Sequence, residues 1–346
     1  MTANKLFLQA ARGERTERTP IWLNRQAGRY MPEYHALKGD TPSLDFFTNP
    51  DMAAQATLDA QRILGVDAAI LFADLLPILV PMGLDLEYVP GRGPVFANPV
   101  RSAADVTALQ VQSAAEATPY IAQTVKNVLS GLPSDIALIG FGASPFTLAS
   151  YAIEGQGSRN YVFVKKMMYE APELWHQLME KLTTQLISYL CFQMDAGAEA
   201  IQLFDTWVGS LSIQDFQTYV RVHTTRLIKA LKDYRPDLPV IYFGTGNAHL
   251  LPEIAAIGPD VLALDWRTPM AETRAALQLK SVQGNLDPIV LCADKATIKT
   301  QAEYTLAQAG TSGGHIFNLG HGIIPETPVD NVKYLVELVQ AHRVNV

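Results

Sequence analysis

Short runs of apolar residues recur along the chain. Each ends in a small or polar residue and is followed by a stretch with helical patterning. The runs are PIWLN (20–24), DAAILFAD (67–74), IALIGFG (136–142), AIQLFDT (200–206), PVIYFG (239–244), VLALDW (261–266), SVQGNL (281–286) and HIFNLG (315–320). Most are apolar at nearly every position. A strand wetted on one face would alternate instead, so these read as parallel strands buried on both faces.

The stretches between them carry helix signals. Residues 51–64 follow Asn49-Pro50 and stop at Gly65, a residue suited to a left-handed helix end. Residues 173–194 form a long amphipathic run closed by Gly197. Ser212 and Asp215 predict another start, with Asp in place of the Glu or Gln of a capping box, and that helix runs to about Tyr234 before Pro236.

About eight strand–helix units in one chain predict an α/β fold, a single (β/α)8 TIM barrel forming one domain over residues 1–346. A doubly wound sheet would also alternate strands and helices, but it would carry a glycine-rich fingerprint after its first strand. Here the first run ends in Asn24-Arg25-Gln26-Ala27-Gly28-Arg29. The pieces GFGAS, EGQGS and GTGNAH lack the full spacing and read as turns.

Composition narrows the function. Lys and Arg number 27 against 34 Asp and Glu, a formal charge of −7, which argues against a general nucleic-acid binder. A buried cluster of arginines can still be positive inside an acidic protein. The two cysteines, Cys191 and Cys292, give no disulfide framework and suit a reducing, cytoplasmic setting. The N-terminal residues hold no long apolar segment of the signal-peptide kind. The most membrane-like stretch, AAILFADLLPILVPMGL (68–84), is interrupted by Asp74, Pro77 and Pro81, and reads as a buried strand followed by a loop.

In a barrel the chemistry gathers where the strands finish. The polar residues there are Arg25 and Arg29, Asp74, Asp205 and Thr206, Asp265, Asn285 and His321. Asp205 and Asp265 could cap the next helix or pair with an arginine. Arg25 and Arg29 flank a bend containing Gly28. Two guanidinium forks there could clamp a polyanion, or could pair with acidic residues at the barrel mouth. Asp74 ends an apolar run, where a carboxylate is costly unless paired, protonated or facing a cation or N–H donors. Either arginine could be its partner. His321 stands between Gly320 and Gly322 just after the last strand. Tyr151 precedes the EGQGS segment and taken alone would be a core tyrosine. The histidines are dispersed, with no His-x-Cys, Cys-x-x-Cys or His-Glu-x-x-His pattern, so no metal constellation is present.

PIWLNRQAGRYMPEY (20–34) closely resembles the N-terminal signature of the uroporphyrinogen decarboxylase family, and GFGASPFTLASYAIEGQGS (140–158) resembles its second signature. The likeness continues in collinear order through AAILFADLL, QLFDTW, LALDW, QGNLDP and FNLGHGIIP. It implies a homodimeric, cytoplasmic TIM-barrel enzyme that converts uroporphyrinogen III to coproporphyrinogen III, with no metal and no organic cofactor. It also implies a substrate-binding set of Arg25, Gln26, Ala27, Gly28, Arg29, Asp74, Tyr151, Thr206 and His321. Asp74 and Arg25 are the expected catalytic groups. Thr206 stands where some members have serine and keeps the hydroxyl. His35 and Lys38 replace arginines found in many relatives, and Ala73 replaces a serine before the aspartate. A corrinoid-linked methyltransferase of related ancestry would carry a His-x-Cys, but Tyr189 and Val290 stand two residues before the cysteines. A porphyrin-binding protein without activity would be expected to lose the arginines or the aspartate.

Overall fold

The computed structural model describes residues 5–343. Its strands in chain order are β1 (Ala68–Ile70), β2 (Leu86–Val89), β3 (Gly93–Phe96), β4 (Ala137–Ala143), β5 (Ala200–Asp205), β6 (Val240–Gly244), β7 (Val261–Ala263), β8 (Val282–Gln283) and β9 (His315–Ile316). Seven of them form one parallel, curled sheet in the order β1-β4-β5-β6-β7-β8-β9. The register runs through apolar partners: Ile70 opposite Ile139, Ile201 opposite Val240, Ile241 opposite Val261 and Leu262 opposite Val282. Every residue of β4 is buried, as its unbroken apolar run requires.

The first apolar run behaves differently. Residues 20–22 form only an isolated parallel bridge, Ile21 opposite Phe317. They nonetheless lie between the two edges of the sheet. Trp22 N–H donates to Phe317 O at 3.3 Å, Phe317 N–H to Pro20 O at 2.8 Å, and Asp67 N–H to Ile21 O at 2.8 Å. Two features keep the ladder short. Pro20 has no N–H to give. The Ile21 N–H is taken by the Asp67 carboxylate at 2.9 Å, and Arg18 holds that carboxylate through 2.8 and 2.5 Å bonds.

Glycines in GFGAS serve packing, not a turn, which corrects the expectation. Gly140 and Gly142 lie inside β4, and a Cβ at Gly140 would stand 2.6 Å from Gln193 Oε1. That glutamine, on the helix Pro172–Ala196, both donates to and accepts from the Phe141 backbone at 2.9 Å. The predicted helices are present. Asn49 accepts the N–H groups of Asp51 and Met52 at the start of Pro50–Leu64, and Gly65 closes that helix in the left-handed region. Ser212 accepts the Asp215 N–H at 3.0 Å, but the helix is not continuous to Tyr234. A π turn, Phe216–Val220, intervenes before Arg221–Tyr234, and the Tyr219 carbonyl in it receives the Trp175 indole N–H at 2.8 Å.

Beyond residue 84, where the sequence predicts no strand, the chain forms a hairpin, β2 and β3, joined through Pro90-Gly91-Arg92. Gly91 and Gly93 take positive φ there. The hairpin is pinned to the Gly155 region, since Phe96 N–H donates to Gly155 O at 2.7 Å and Arg92 reaches Gln156 at 2.6 Å. Among the described residues, no helix is long and apolar enough to cross a membrane.

Candidate active site

A polar relay inside the sheet supports the segment that carries Arg25. Trp22 Nε1 donates to Gln283 Oε1 at 2.9 Å, Gln283 Nε2 to Gln202 Oε1 at 3.0 Å, and Gln202 Nε2 to Asn24 Oδ1 at 3.3 Å. The Asn24 N–H meets Asn318 Oδ1 at 2.9 Å, and its amide reaches Leu319 O. Buried amides that satisfy one another in this way rigidify a core. They tie residue 24 to the loop that carries His321.

The bend after Asn24 is built by Gln26. Its side chain is 1% exposed, accepts the Leu23 N–H at 3.1 Å and donates to Ala68 O at 3.2 Å. Tyr30 donates to the Gln26 carbonyl at 2.7 Å. The Gln26 side chain is thus committed to the scaffold and is not offered to a ligand. Arg25 takes a left-handed backbone, φ 62°, unusual for a side chain of its size. Ala27 and Gly28 follow, half-buried, and Arg29 is exposed like Arg25. Among the described residues neither arginine forms an ion pair with a carboxylate, so the pairing alternative is not realised.

Asp74 lies a few residues beyond β1, half-buried and without a salt bridge among the described residues. Its Oδ1 accepts the Leu76 N–H at 3.0 Å. Burial pushes its pKa up, while the Leu76 N–H, the Tyr88 hydroxyl and the Arg25 charge pull it back. Burial, and to a lesser degree the Asp74 charge, raise the pKa of five surrounding tyrosines, at 34, 88, 120, 151 and 189. A carboxylate walled by phenols and left without a cation is poised to receive donors or positive charge.

Tyr151, on the helix Pro145–Glu154, stacks on Trp207 with ring centroids 3.9 Å apart, and Tyr161 meets the same indole edge-on at 5.3 Å. Thr206 precedes that tryptophan, and its carbonyl accepts the Thr245 hydroxyl at 2.6 Å. His321 Nδ1 accepts the Gly322 N–H at 2.8 Å, so the neutral ring carries its proton on Nε2. Burial, then Arg25 and Arg267, push its pKa down. It is a neutral donor, unsuited to delivering a proton as imidazolium.

Arg25, Asp74, Tyr151 and His321 therefore share one electrostatic neighbourhood. Arg29 reaches it through Tyr34, which responds to both Arg29 and Asp74. The other polar residues at the strand ends are structural. Asp205 accepts Thr147 and Tyr242, Asp265 accepts the Gly246 N–H and pairs with Arg267, and Asn285 bonds the Asp265 and Thr268 carbonyls. His35 meets Arg29 O, and Lys38 meets Thr41 O, both at 2.7 Å. Trp207 and Tyr88 are the residues the sequence reading passed over. Trp207 is adjacent to Thr206 in QLFDTW, whereas Tyr88 lies in a stretch for which the sequence predicts no strand. Cys191 is half-buried, and burial followed by Asp195 pushes its thiol up to about 11, which disfavours a thiolate ligand there.

The glycines beside His321 differ in kind. A Cβ on Gly320 would lie 2.1 Å from the Trp266 backbone nitrogen, whereas one on Gly322 would first meet the Arg25 side chain, at 2.4 Å from Cδ. Backbone cannot yield, but an exposed arginine can. Gly320→Ala is expected to cost roughly 3 kcal/mol in chemical denaturation. Gly322→Ala is expected to stay within about 1 kcal/mol of wild type yet displace Arg25, so that kcat/KM falls about tenfold. Equal stability losses in the two variants would contradict this distinction.

Comparisons with known proteins identify the family. The profile of the uroporphyrinogen decarboxylase (URO-D) family matches residues 2–342. A uroporphyrinogen decarboxylase from Chloroflexus aurantiacus is 49% identical over 342 residues, covering 97% of this chain and 95% of that protein. Those from Thermus thermophilus and Koribacter versatilis are 48% and 47% identical, covering 97% and 98% of this chain and 98% and 96% of theirs. Among solved structures, a methyltransferase from Methanosarcina mazei superposes with a TM-score of 0.81 at 20% identity, covering 96% of both chains, a likeness of fold alone. With the family profile spanning residues 2–342 and these relatives matched over nearly their full lengths, the chain belongs to the uroporphyrinogen decarboxylase family.

Proposed function

We infer that this chain is a uroporphyrinogen decarboxylase acting through Asp74, with Arg25 and Arg29 as the clamp for the substrate's carboxylates. It removes the four acetate carboxyls of uroporphyrinogen III as carbon dioxide and leaves coproporphyrinogen III. The observation that carries the reading is the unpaired charge at the site. Among the described residues Arg25 and Arg29 have no carboxylate partner, and Asp74 has no cation bonded to it. A flexible polyanion with four inward N–H groups answers both.

Loss of carbon dioxide from an acetate arm needs an electron sink. A proton added to the adjacent pyrrole ring carbon makes the ring cationic. The bond between the methylene and the carboxylate then breaks, and its electrons neutralise the ring. The methylene carbon takes up a proton to become methyl, and the ring carbon gives its proton back. The ring itself is the sink, so the chemistry calls for neither a metal nor an organic cofactor. Asp74 accepts the pyrrole N–H groups and stabilises the cation, a preorganised interaction worth several kcal/mol in a site shielded from water. Arg25 and Arg29 hold carboxylate arms by forked hydrogen bonds. The N–H groups of Ala27 and Gly28 border the same bend. Thr206, Tyr151 and the His321 Nε2–H supply further donors. Arginine is a very weak acid, so Arg25 orients the reacting arm and neutralises its charge.

In this reading residues 20–22 act as the eighth strand, closing one (β/α)8 barrel domain over residues 1–346. The enzyme works in the cytoplasm as a homodimer. Purified protein supplied anaerobically with enzymatically made uroporphyrinogen III is expected to form coproporphyrinogen. Absence of product from the wild type would overturn the assignment.

A further inference from the structure

Tyr88, on β2 of the hairpin, lies near enough to Asp74 to feel its charge. Its ring packs edge-on to Phe47, centroids 5.3 Å apart, and Phe47 in turn meets Phe72, two residues before Asp74. The hairpin is fastened to the helix that carries Tyr151 through Gly155, at that helix's end. Tyr88 is therefore held on both sides. Its hydroxyl is buried and, among the described residues, makes no hydrogen bond of normal geometry, although the Asp74 carboxylate stands near enough for the two to influence each other. A buried hydroxyl without a partner is rare and calls for an explanation.

We propose that Tyr88 is a positioning residue for Asp74: its hydroxyl donates to the carboxylate when the substrate's N–H groups draw the carboxylate into line, keeping it ionised and fixing its direction. With the Leu76 N–H on Oδ1 and Tyr88 at its side, Asp74 keeps its remaining lone pairs for the ring. The other groups around Asp74 do not supply such a donor in its present setting. Arg25 acts on it as a charge from the first bend. Tyr34, Tyr120, Tyr151 and Tyr189, from the helices Pro32–Lys38, Pro119–Gly131, Pro145–Glu154 and Pro172–Ala196, respond to its charge without bonding it. The inference rests on the decarboxylase reading for its functional meaning.

Tyr88→Phe tests it. Among the described residues the hydroxyl makes no well-formed hydrogen bond, so its removal is expected to leave the fold about as stable. Losing a donor to the ionised carboxylate makes Asp74 easier to protonate. The acid limb of kcat is expected to move up by about one pH unit, a tenfold change in proton affinity, with KM at pH 8 within twofold of wild type. An unmoved limb overturns the proposal, and an unmoved limb with a raised KM would make Tyr88 a substrate contact instead. Carbon-13 titration of aspartate-labelled protein, with the Asp74 resonance assigned by its loss in Asp74→Asn, reads the same pairing without turnover. A pH midpoint for that resonance unchanged by Tyr88→Phe, measured with coproporphyrinogen bound, also overturns it. If the wild type forms no product, the decarboxylase reading fails by itself, and this titration still decides the pairing.

Discussion

Asp74→Asn is expected to lower the turnover of uroporphyrinogen a hundredfold or more, with KM changed only a few-fold. The substitution keeps the shape of the side chain and the oxygen that accepts the Leu76 N–H, so the segment after β1 should hold its course. What it removes is the negative charge that, in the proposed mechanism, faces the ring. In the ground state that ring is neutral and gains little from the charge. Once a ring carbon is protonated the gain is large, so the loss belongs in kcat. Stability should stay equal or rise slightly, because burial already disfavours the charged form. The same burial fixes the sign of the pH dependence. With its pKa pushed up, Asp74 is ionised and active at higher pH than an ordinary aspartate, and activity falls as pH drops through that raised value. Turnover by Asp74→Asn equal to that of wild type would remove Asp74 from the centre of the mechanism.

Arg25→Ala is expected to lower kcat/KM roughly a hundredfold, in the range of the about 1.5–3 kcal/mol that a charge-assisted hydrogen bond contributes. Two losses combine. The substrate loses a clamp that the bend presents at a fixed angle, and Asp74 loses the cation that helps keep it ionised. The second loss predicts an acid limb that moves up, which a pure binding residue would not produce. Arg25→Lys should recover only part of the activity, because a lysine offers a point charge and no fork. Arg29→Ala should act mainly on KM. Steady-state kinetics across pH separates these outcomes. An Arg25→Ala profile differing from wild type only in KM would confine Arg25 to binding.

Much of this was legible in the sequence, for identifiable reasons. Strands buried on both faces announce themselves by apolar runs, and the seven that pair in the sheet coincide with the predicted runs, β4 reaching one residue further to Ala143. Helix ends were marked by Asn49, Gly65 and Gly197, because capping is local chemistry. Arg25, Asp74, Tyr151 and His321 could be singled out from their positions near strand ends and from the family resemblance. The misses share another cause. Gln26 is polar and adjacent to Arg25, and only the distant Ala68 carbonyl reveals that its amide is already engaged. Gly140 and Gly142 look like turn residues until the Gln193 side chain is seen packed over β4. Tyr88 acquires meaning only when the hairpin folds it near Asp74. Each depends on a neighbour far away in sequence, which local patterning does not encode.

The tie between Asn24 and Asn318 joins residues 294 positions apart. During synthesis the arginine bend emerges early, yet the strand and loop that brace it emerge late. Contacts of such long separation must bear the entropy of closing the chain before they contribute, so they form late in folding. A growing polypeptide would therefore expose Arg25 and Arg29 without the backing that aims them. The polyanion pocket would be assembled only when the final strand docks, so an incomplete chain would have little capacity to hold a tetrapyrrole it could not process.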